Sequence, residues 1–524
     1  MKLSGGAALV ESLAAHGVEV LFGIPGTHNL GIYAELGRYG IRHVLTRHEQ
    51  GAGFAADGYA RVTGKPGVCL TTSGPAILNA ATAAAQAYSD SVPMLLISPG
   101  PPVRHPGRGN GILHEVRDQT GAMAAVTAGS HRVTSVAEIP VAVAQAFAQL
   151  RSGRPRPLHL EIPLDLIDEA DDIDPVPPIP VTAPVPAADA LARALELLNS
   201  AERPGVLVGG GARAAAEPLA ELAARLGAPV LSSANGKGIL PEDHACALGA
   251  GLHHRSVAEF AADCDVVLAV GTELAPADLW HGPLRFPGKL IRVDIDPVGV
   301  VTNANPDVPL VGDAANTLQT LLDGITRVSI SDSFDRVARW RQQIFAEATR
   351  QGGPWLPILA ALDETLGRDG VLAADSAMVC YYGALSNLPR YTPGSFLYPT
   401  GLGTLGYGLP AAIGARLGRP SSRVAALHGD GGIMFTVAEL ASAAALGLAL
   451  PVLVVDNGGY GEIRDEMAER GDLPLAVDLP SPDFAELGRS MGCHGVTLPD
   501  CDGLVDVLRD AFEADRPTVI HLRG

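Results

Sequence analysis

Residues 424–432 read VAALHGDGG, four apolar residues followed by a polar, glycine-rich segment. A short apolar run that ends in glycines is typical of a buried β-strand. The same arrangement returns in PVLVVDNGG at residues 451–459. Between the two runs, Thr436 and Glu439 have the spacing of a capping box that opens a helix, and Gly447 is placed to end that helix. The sequence therefore predicts a βαβ unit with two parallel strands.

This unit brings oxygen-bearing groups to one edge of the predicted sheet. Asp430 and Asn457 each follow a strand, and ligands of open α/β sheets bind at the carboxyl ends of the strands. With the Gly459 carbonyl they offer the hard oxygen ligands that Mg²⁺ prefers. The glycines around Asp430 would let backbone N–H groups approach a phosphate group. Each motif alone is more typical of a surface turn or a hairpin, whereas the pair on one βαβ unit favours a metal site.

Strand-like runs alternate with Ala-rich helical stretches almost from end to end of the chain. This alternation predicts α/β domains with doubly wound parallel sheets. Three blocks can be separated, at residues 1–167, 188–325 and 354–524. Residues 168–186 are acidic and then rich in proline, which predicts an extended linker. Gly352-Gly353-Pro354 marks the second boundary, after a polar helical stretch.

The composition excludes several classes of partner. The chain has 524 residues, of which 47% are hydrophobic, and a net charge of −19. That charge argues against nucleic acid and against an anionic membrane surface as partners. No uninterrupted apolar run reaches membrane-spanning length. The scattered cysteines lack the spacing of a metal site and predict reduced thiols in a cytoplasmic protein: Cys69, Cys246, Cys264, Cys380, Cys493 and Cys501.

The paired motifs resemble a known signature. Gly429-Asp430-Gly431 and Asp456-Asn457, separated by residues 432–455, are similar to the diphosphate motif of thiamine-diphosphate enzymes. Other segments resemble the acetolactate synthase and pyruvate decarboxylase superfamily: FGIPG at 22–26, RHEQ at 47–50, ADGYAR at 56–61, SGP at 73–75, DSVP at 90–93 and GLGTLGYGLP at 401–410. The resemblance covers essentially the whole chain. It implies a pyrimidine-binding, a central and a diphosphate-binding domain, in that order.

The resemblance also implies which residues bind the cofactor. Asp430, Asn457 and the Gly459 carbonyl would bind the Mg²⁺ that holds the diphosphate. The Gly403 carbonyl would accept a hydrogen bond from the pyrimidine amino group, and Leu405 would wedge under the cofactor and bend it. The full set of implied thiamine-diphosphate contacts is Pro25, Glu49, Ser73, Asn79, Gly403, Leu405, Gly429, Asp430, Gly431, Gly432, Asn457, Gly459, Tyr460 and Gly461.

Glu49 is the principal catalytic residue that the resemblance implies. Its carboxyl group would hydrogen-bond the pyrimidine ring and assist the removal of a proton from the thiazolium ring. Small residues at 51–53 predict that Glu49 is buried, and burial would raise its pKa to suit proton transfer. In the family the active site lies between subunits. We therefore expect a homodimer or homotetramer in which Glu49 of one chain faces the Asp430 domain of another.

The implied reaction is the decarboxylation of a small-molecule 2-oxo acid. Loss of CO₂ leaves an enamine, which releases an aldehyde on protonation or joins a second carbonyl, as in acetolactate synthase. Glu462 and Glu466 stand where acetolactate synthases usually have Met and a substrate-facing Trp. Classical pyruvate decarboxylases carry adjacent histidines where this chain has only His114. These departures argue against a standard acetolactate synthase and against a classical pyruvate decarboxylase, and carboligation stays open as the alternative to aldehyde release.

Within the superfamily, the pattern is most similar to that of the 5-guanidino-2-oxopentanoate decarboxylases. The shared segments are GTH at 26–28, LHE at 113–115, DQ at 118–119, ADLW at 277–280 and IRD at 463–465. Glu462 and Asp465 would suit a substrate with a cationic tail, although both could lie on an exposed helix. His28 and His114 are candidates for proton transfer or for binding the substrate carboxylate, and each could instead be structural.

Two rival interpretations stay open. The glycines at 401, 403 and 406, or those at 209–211, could belong to an FAD- or NAD-dependent oxidoreductase, although a lone GxGxxG is weak evidence. The glycines at 209–211 therefore argue only weakly for FAD binding in the second block. A catalytically silent, regulatory family member would be expected to lack Glu49 or Asp430, and the chain has both.

Overall fold

The computed structural model describes residues 2–106, 109–326 and 331–523. Among these residues the strands form three six-stranded parallel sheets and one two-stranded antiparallel sheet. Residues 1–167, 188–325 and 354–524 each enclose one six-stranded sheet. The prediction of α/β domains with parallel sheets is confirmed.

The first domain has its sheet at the centre, with helices on both faces. Across the sheet the strands are Arg42–Leu45, Val20–Gly23, Gly67–Leu70, Met94–Gly100, Leu158–Pro163 and Gly129–Arg132. The helices are Gly5–Ala15, Leu30–Leu36, Glu49–Thr63, Pro75–Asn79, Ala81–Ser89, Gln119–Ala124, Ile139–Ser152 and Leu164–Asp168, with 3₁₀ turns at Thr27–Asn29, Gly37–Tyr39 and Val136–Glu138.

Both faces of this sheet are buried, which explains its continuous apolar strands. Successive side chains of a strand point to opposite faces. Val68 and Leu95 accordingly belong to one hydrophobic core, and Cys69 and Leu96 belong to the other. Helices on the two faces cover these cores, so the sheet is doubly wound, as predicted.

The central domain repeats the layers with another strand order. Across its sheet lie Ala247–Ala250, Val230–Ser232, Pro204–Val208, Val266–Val270, Lys289–Asp294 and Val308–Val311. Its helices are Ala188–Ser200, Ala216–Leu226, Ser256–Asp263 and Ala314–Gly324, with 3₁₀ turns at Gly210–Ala215 and Gly299–Val301. The long helix Ser331–Gly352 leads to the third domain and packs on the central one, where the rings of Trp340 and Phe260 lie 5.5 Å apart.

The third domain has the strand order of the first. Across its sheet lie Phe396–Leu397, Val371–Ala374, Val424–Gly429, Pro451–Asp456, Thr518–Arg523 and His494–Leu498. The helices are Leu356–Leu366, Leu385–Asn387, Gly408–Gly418, Asp430–Ile433, Glu439–Ala445, Gly461–Glu469, Phe484–Ser490 and Leu504–Phe512; Gly353–Trp355 is a 3₁₀ turn and Val379–Ala384 a π-helix. In chain order, the first strand (Val371–Ala374) and the third strand (Val424–Gly429) are neighbours. The second strand lies on one side of this pair and the later strands lie on the other, so the order of strands reverses there. Such a switch point opens a crevice for ligands.

The first and third domains meet through two helices that approach closely at glycines. A Cβ atom at Gly58 would lie 2.2 Å from the Ala411 carbonyl oxygen. One at Gly414 would lie 1.9 Å from the Ala55 carbonyl oxygen. Any side chain at either glycine would push Glu49–Thr63 and Gly408–Gly418 apart.

The predicted capping box is wrong. The segment after the strand first makes the single turn Asp430–Ile433, and the next helix begins only at Glu439. The Thr436 hydroxyl donates to the Gly406 carbonyl at 2.6 Å. The buried Glu439 carboxylate accepts from the backbone N–H groups of Arg47 and His48 at 3.0–3.2 Å. Both side chains therefore serve contacts distant in sequence.

The proline-rich linker has no regular secondary structure over most of its length, as its proline content predicts. Its start, Ala170–Asp172, pairs with Lys2–Ser4 in the antiparallel sheet, and residues 173–187 form no helix or strand. Within the described parts of the chain, we find no helix that combines the length and the apolar character needed to cross a membrane.

Candidate active site

Three oxygen atoms converge at the carboxyl edge of the third sheet. The Asn457 side-chain oxygen lies 2.8 Å from the Gly459 carbonyl oxygen and 3.1 Å from Asp430 Oδ1. Three acceptors without a donor between them repel one another. Ligands about 2.1 Å from an octahedral Mg²⁺ ion lie about 3.0 Å apart, which is the spacing seen here. Without a cation, the Asn457 amide turned over would donate from its nitrogen to both of the other oxygens. With Mg²⁺ bound, the amide oxygen would face them instead, so the spacing of the three groups fits a cation.

The surroundings of Asp430 also favour a cation. Burial, and after it the neighbouring carboxylate of Asp456, raise the pKa of Asp430. A cation would offset this penalty on the ionised form. The Ser481 hydroxyl lies 3.2 Å from Asp430 Oδ2 and 2.8 Å from Asp456 Oδ1, so it bridges the two carboxylates. Ser481 is a residue that the sequence motifs do not single out.

The glycines of the two loops leave no room for side chains. A Cβ atom at Gly431 would lie 2.8 Å from the Tyr460 ring, and one at Gly432 would lie 2.6 Å from Asp375 Oδ2. Gly459 has a φ of +134°, and a Cβ there would lie 2.0 Å from the Val477 carbonyl oxygen. Backbone N–H groups can therefore approach a phosphate at Gly429–Gly432, and Gly461 packs against Asn457.

Leu405 lies beside this glycine loop. Its Cδ2 atom would be 3.7 Å from a Cβ at Gly432, and the neighbouring Gly403 adopts a φ of +65° in an exposed turn. Asp375 holds the segment in place by accepting from the N–H groups of Gly406 and Tyr407 at 3.0 and 3.1 Å.

Asp375 lies in the candidate site, and the sequence motifs do not include it. It directly follows the strand Val371–Ala374, at the same sheet edge as Asp430. It is fully buried, and the His428 ring nitrogen Nδ1 lies 2.8 Å from its Oδ2. In the sequence, its position as an acidic residue directly after an apolar strand could have identified Asp375 as part of the site.

Glu49 stands at the corresponding edge of the first sheet. It begins the helix Glu49–Thr63, and its carboxylate accepts from the Asn79 amide at 3.0 Å. Gly51, Ala52 and Gly53 are buried as the sequence suggests, whereas Glu49 itself is only half-buried in the single chain. The predicted burial of Glu49 is therefore incomplete here, because the described residues leave part of its side chain open to solvent.

Two histidines lie close to this edge. The His28 and His114 rings are 4.9 Å apart, and His28 Nδ1 lies 2.6 Å from the buried Ser73 hydroxyl. Burial, and next the proximity of His114, lower the pKa of His28. His114 has a φ of +64°, and its carbonyl packs against Gly74 so closely that a Cβ there would be 2.2 Å away. Pro25 is exposed in the adjoining turn.

Glu462 and Asp465 have different environments. Glu462 is half-buried and accepts from the Tyr382 hydroxyl at 2.7 Å. Asp465 and Glu466 are exposed on the same helix.

The single chain does not unite the predicted site residues. Asp430, Asn457, Gly459 and Leu405 gather at the third sheet, while Glu49, Asn79, Ser73 and the histidines gather at the first. Among the described residues, no hydrogen bond or ion pair joins Glu49 to the Asp430 cluster.

A separate cavity of about 520 Å³ lies between the first and central domains. The predicted glycine loop at 209–211 lines it, together with Arg154, Arg213 and Asp278. The loop does follow a strand, Pro204–Val208, as the sequence suggests.

Asp278 in this cavity leads to a prediction about stability. Burial raises its pKa from 3.8 to about 7, and Asp90 adds to the shift. Below pH 3.8 the Asp278 carboxyl group is protonated in both the folded and the unfolded protein. As the pH rises from 3.8 to about 7, only the unfolded protein loses this proton, so the free energy of unfolding falls, and above pH 7 the loss is complete. We expect Asp278→Asn to stabilise the protein at pH 8 and to do so less at pH 5, measured as the free energy of unfolding in urea. A difference that does not change with pH would contradict this.

Comparison with known proteins covers all three domains. Residues 3–123 match the family described as thiamine pyrophosphate enzyme, N-terminal TPP binding domain. Residues 191–321 match its central domain and residues 377–522 its C-terminal TPP binding domain. These matches indicate thiamine diphosphate and do not indicate FAD.

Curated relatives span nearly the full length. A protein of Pseudomonas aeruginosa named probable 2-ketoarginine decarboxylase is 44% identical over 99% of this chain and 94% of its own. A probable acetolactate synthase large subunit of Methanocaldococcus jannaschii is 32% identical over 99% of this chain and 92% of its own. An acetolactate synthase of Arthrospira platensis is 34% identical, with 95% and 90% covered. This chain therefore belongs to the family of thiamine pyrophosphate enzymes.

Proposed function

We propose that this protein decarboxylates a 2-oxo acid with a basic side chain and releases an aldehyde, using thiamine diphosphate and Mg²⁺. The observation that carries the proposal is the convergence of the Asp430, Asn457 and Gly459 oxygens beside a glycine loop. The relative of Pseudomonas aeruginosa, whose name states 2-ketoarginine as substrate, supports the basic side chain.

The residues at the third sheet would hold the cofactor. Asp430, Asn457 and the Gly459 carbonyl would bind Mg²⁺, and N–H groups of Gly429–Gly432 and Gly461 would meet the diphosphate, with Tyr460 packed against the glycine loop. When bound, the cofactor would supply a nucleophilic carbon and an electron sink for the decarboxylation. Leu405 would support the ring from below.

The residues at the first sheet would move protons. Glu49 would hydrogen-bond the pyrimidine ring and exchange a proton with it. Asn79, which already donates to Glu49, would orient that carboxyl group. His28 and His114 would deliver a proton to the carbon that lost CO₂ or bind the substrate carboxylate. Ser73 would fix the ring of His28, and Pro25 would shape the turn between them and the cofactor.

The complete site would form between two copies of the chain. Near the Glu49 group at the first sheet and the Asp430 group at the third sheet, several apolar side chains are exposed in the single chain. Such exposure is typical of interfaces. These side chains are Leu30, Leu45, Leu78, Leu113, Leu402, Met434 and Phe435. Their burial in a homodimer or homotetramer would also cover Glu49. A cytoplasmic location fits the six free cysteines, of which five are buried.

Carboligation is the second candidate. The acetolactate synthases among the relatives support it, at 32–34% identity. The two reactions share every step before the fate of the decarboxylated carbon, so only the product separates them.

Product analysis tests the proposal. The protein, with thiamine diphosphate and Mg²⁺, would be given pyruvate and 5-guanidino-2-oxopentanoate in separate reactions. We expect CO₂ and 4-guanidinobutanal from the basic acid, detected by mass spectrometry. Acetolactate from pyruvate, with no aldehyde from the basic acid, would overturn the decarboxylase assignment in favour of carboligation.

A further inference from the structure

A group of aromatic rings adjoins Glu462. Tyr381 and Tyr382 lie in the π-helix Val379–Ala384, and Trp280 reaches them from a loop of the central domain. We call Trp280, Tyr381 and Tyr382 the aromatic corner. None of the sequence motifs includes the two tyrosines.

The three rings meet edge to face. The Trp280 ring centroid lies 6.2 Å from that of Tyr381 and 5.6 Å from that of Tyr382, with interplanar angles of 78° and 90°. The tyrosine rings are 4.7 Å apart at 70°. The Trp280 indole N–H donates to the Ala277 carbonyl at 3.1 Å, which fixes the ring, yet 39% of the residue stays exposed. Part of an aromatic surface is therefore open to a ligand.

The charge of this corner is negative. Glu462 accepts from Tyr382, and among the described residues it forms no ion pair with Lys, Arg or His. Burial, and next the hydrogen bond to Glu462, raise the pKa of Tyr382, so its hydroxyl remains a donor. Glu466 and Glu469 add negative charge near the same ring. Arg464 is the one arginine of the helix Gly461–Glu469, which carries Glu462 and Glu466, and it is paired with Asp478 at 3.0 Å.

The corner lies next to the metal site. Met378, which immediately precedes the π-helix, has its sulfur 3.8 Å from the Asn457 amide nitrogen. A Cβ at Gly461 would lie 2.6 Å from that nitrogen and 3.0 Å from the Met378 sulfur. Gly461 is followed directly by Glu462, so this carboxylate stands one residue from the loop that would hold the diphosphate.

We propose that Glu462 and the aromatic corner bind the cationic end of the substrate, with the guanidinium group paired to Glu462 and lying against Trp280, Tyr381 and Tyr382. A half-buried carboxylate that accepts a hydrogen bond from one of three clustered aromatic rings suits a guanidinium, because that group forms charge-assisted hydrogen bonds and stacks on rings. The inference rests on the decarboxylation proposed above. It adds that the central domain, through Trp280, takes part in substrate selection.

A pair of substrates of equal shape tests this inference. 5-Guanidino-2-oxopentanoate carries the charge, whereas 5-ureido-2-oxopentanoate is nearly isosteric and neutral. We expect the unaltered protein to prefer the charged acid in kcat/KM by about 100-fold or more, since a site built for charged hydrogen bonds rejects an analogue that lacks them. Glu462→Gln should lower that ratio at least about tenfold, and Tyr382→Phe and Trp280→Leu should lower it less.

Asp465→Asn is the matched control, because Asp465 lies on the same helix but is exposed. It should leave the ratio within about threefold of the parent. Equal losses on both acids in Glu462→Gln would overturn the inference, since a merely structural role affects both alike. If the parent releases no CO₂ from any 2-oxo acid, the proposed decarboxylation itself fails. The two failures are thus distinguishable.

Discussion

Glu49→Gln is expected to lower kcat/KM for aldehyde formation by about 100- to 10,000-fold, the usual contribution of a positioned acid–base group. Gln has the size of Glu and can still accept from Asn79, so the loss would come from proton transfer. Activity would be measured with a coupled aldehyde dehydrogenase. Thiamine-diphosphate affinity would be measured separately by calorimetry, so that binding and chemistry are resolved.

Glu19→Gln provides the control for this substitution. Glu19 is an exposed glutamate of the same domain, whose partner Lys65 lies 3.1 Å away at the surface. It should behave as the parent protein, since such surface pairs contribute little. Full activity in Glu49→Gln would contradict the assigned role of Glu49.

Asp430→Asn is expected to abolish Mg²⁺-dependent cofactor binding. Loss of the residues that support a metal ligand costs about 10- to 100-fold in affinity, so loss of a ligand itself should exceed about 100-fold. The substitution keeps the shape of the side chain and removes its negative charge, which would attract the metal ion more strongly than the two neutral oxygens do. The measurement is the dissociation constant of thiamine diphosphate with and without Mg²⁺.

Asp472→Asn is the matched control, because Asp472 is exposed and paired with Arg470 at 3.0 Å. Its cofactor affinity should equal that of the parent. Unchanged, Mg²⁺-dependent binding in Asp430→Asn would place the metal elsewhere.

The two variants together test the proposed site between subunits. A mixed dimer of Glu49→Gln and Asp430→Asn chains would contain one intact site and one doubly altered site. If the two chains pair at random, about half of the dimers are mixed, and each mixed dimer has one intact site of its two. Co-expression should therefore restore about a quarter of the activity of the parent protein. No recovery in a verified mixed dimer would mean that each chain builds its own site.

Much of the fold and of the proposed metal site could be predicted from local patterns. The run at 424–427 is apolar because the strand Val424–Gly429 is buried on both faces, and such a strand is readable from its own residues. Asp430 and Asn457 follow neighbouring strands, and parallel strands end at a common edge. Their proximity therefore follows from the order of elements alone.

The predicted capping box shows where local patterns fail. Thr436 and Glu439 have the spacing of a helix start, yet Glu439 accepts from the N–H groups of Arg47 and His48, at the start of the Glu49 helix. A carboxylate satisfies whichever donors surround it. Those donors lie almost four hundred positions earlier in the chain, beyond any local pattern.

The sequence by itself determined the parallel sheets, the glycine loops and the shared sheet edge of Asp430, Asn457 and Gly459, because strands and their ends follow from local periodicity. Only the tertiary structure decided that Asp375 holds the Leu405 segment and that Glu462 is half-buried whereas Asp465 is exposed. It also brought Trp280 of one domain to Tyr382 of another. These contacts depend on how the domains pack, and packing between distant segments leaves no periodic trace in either one.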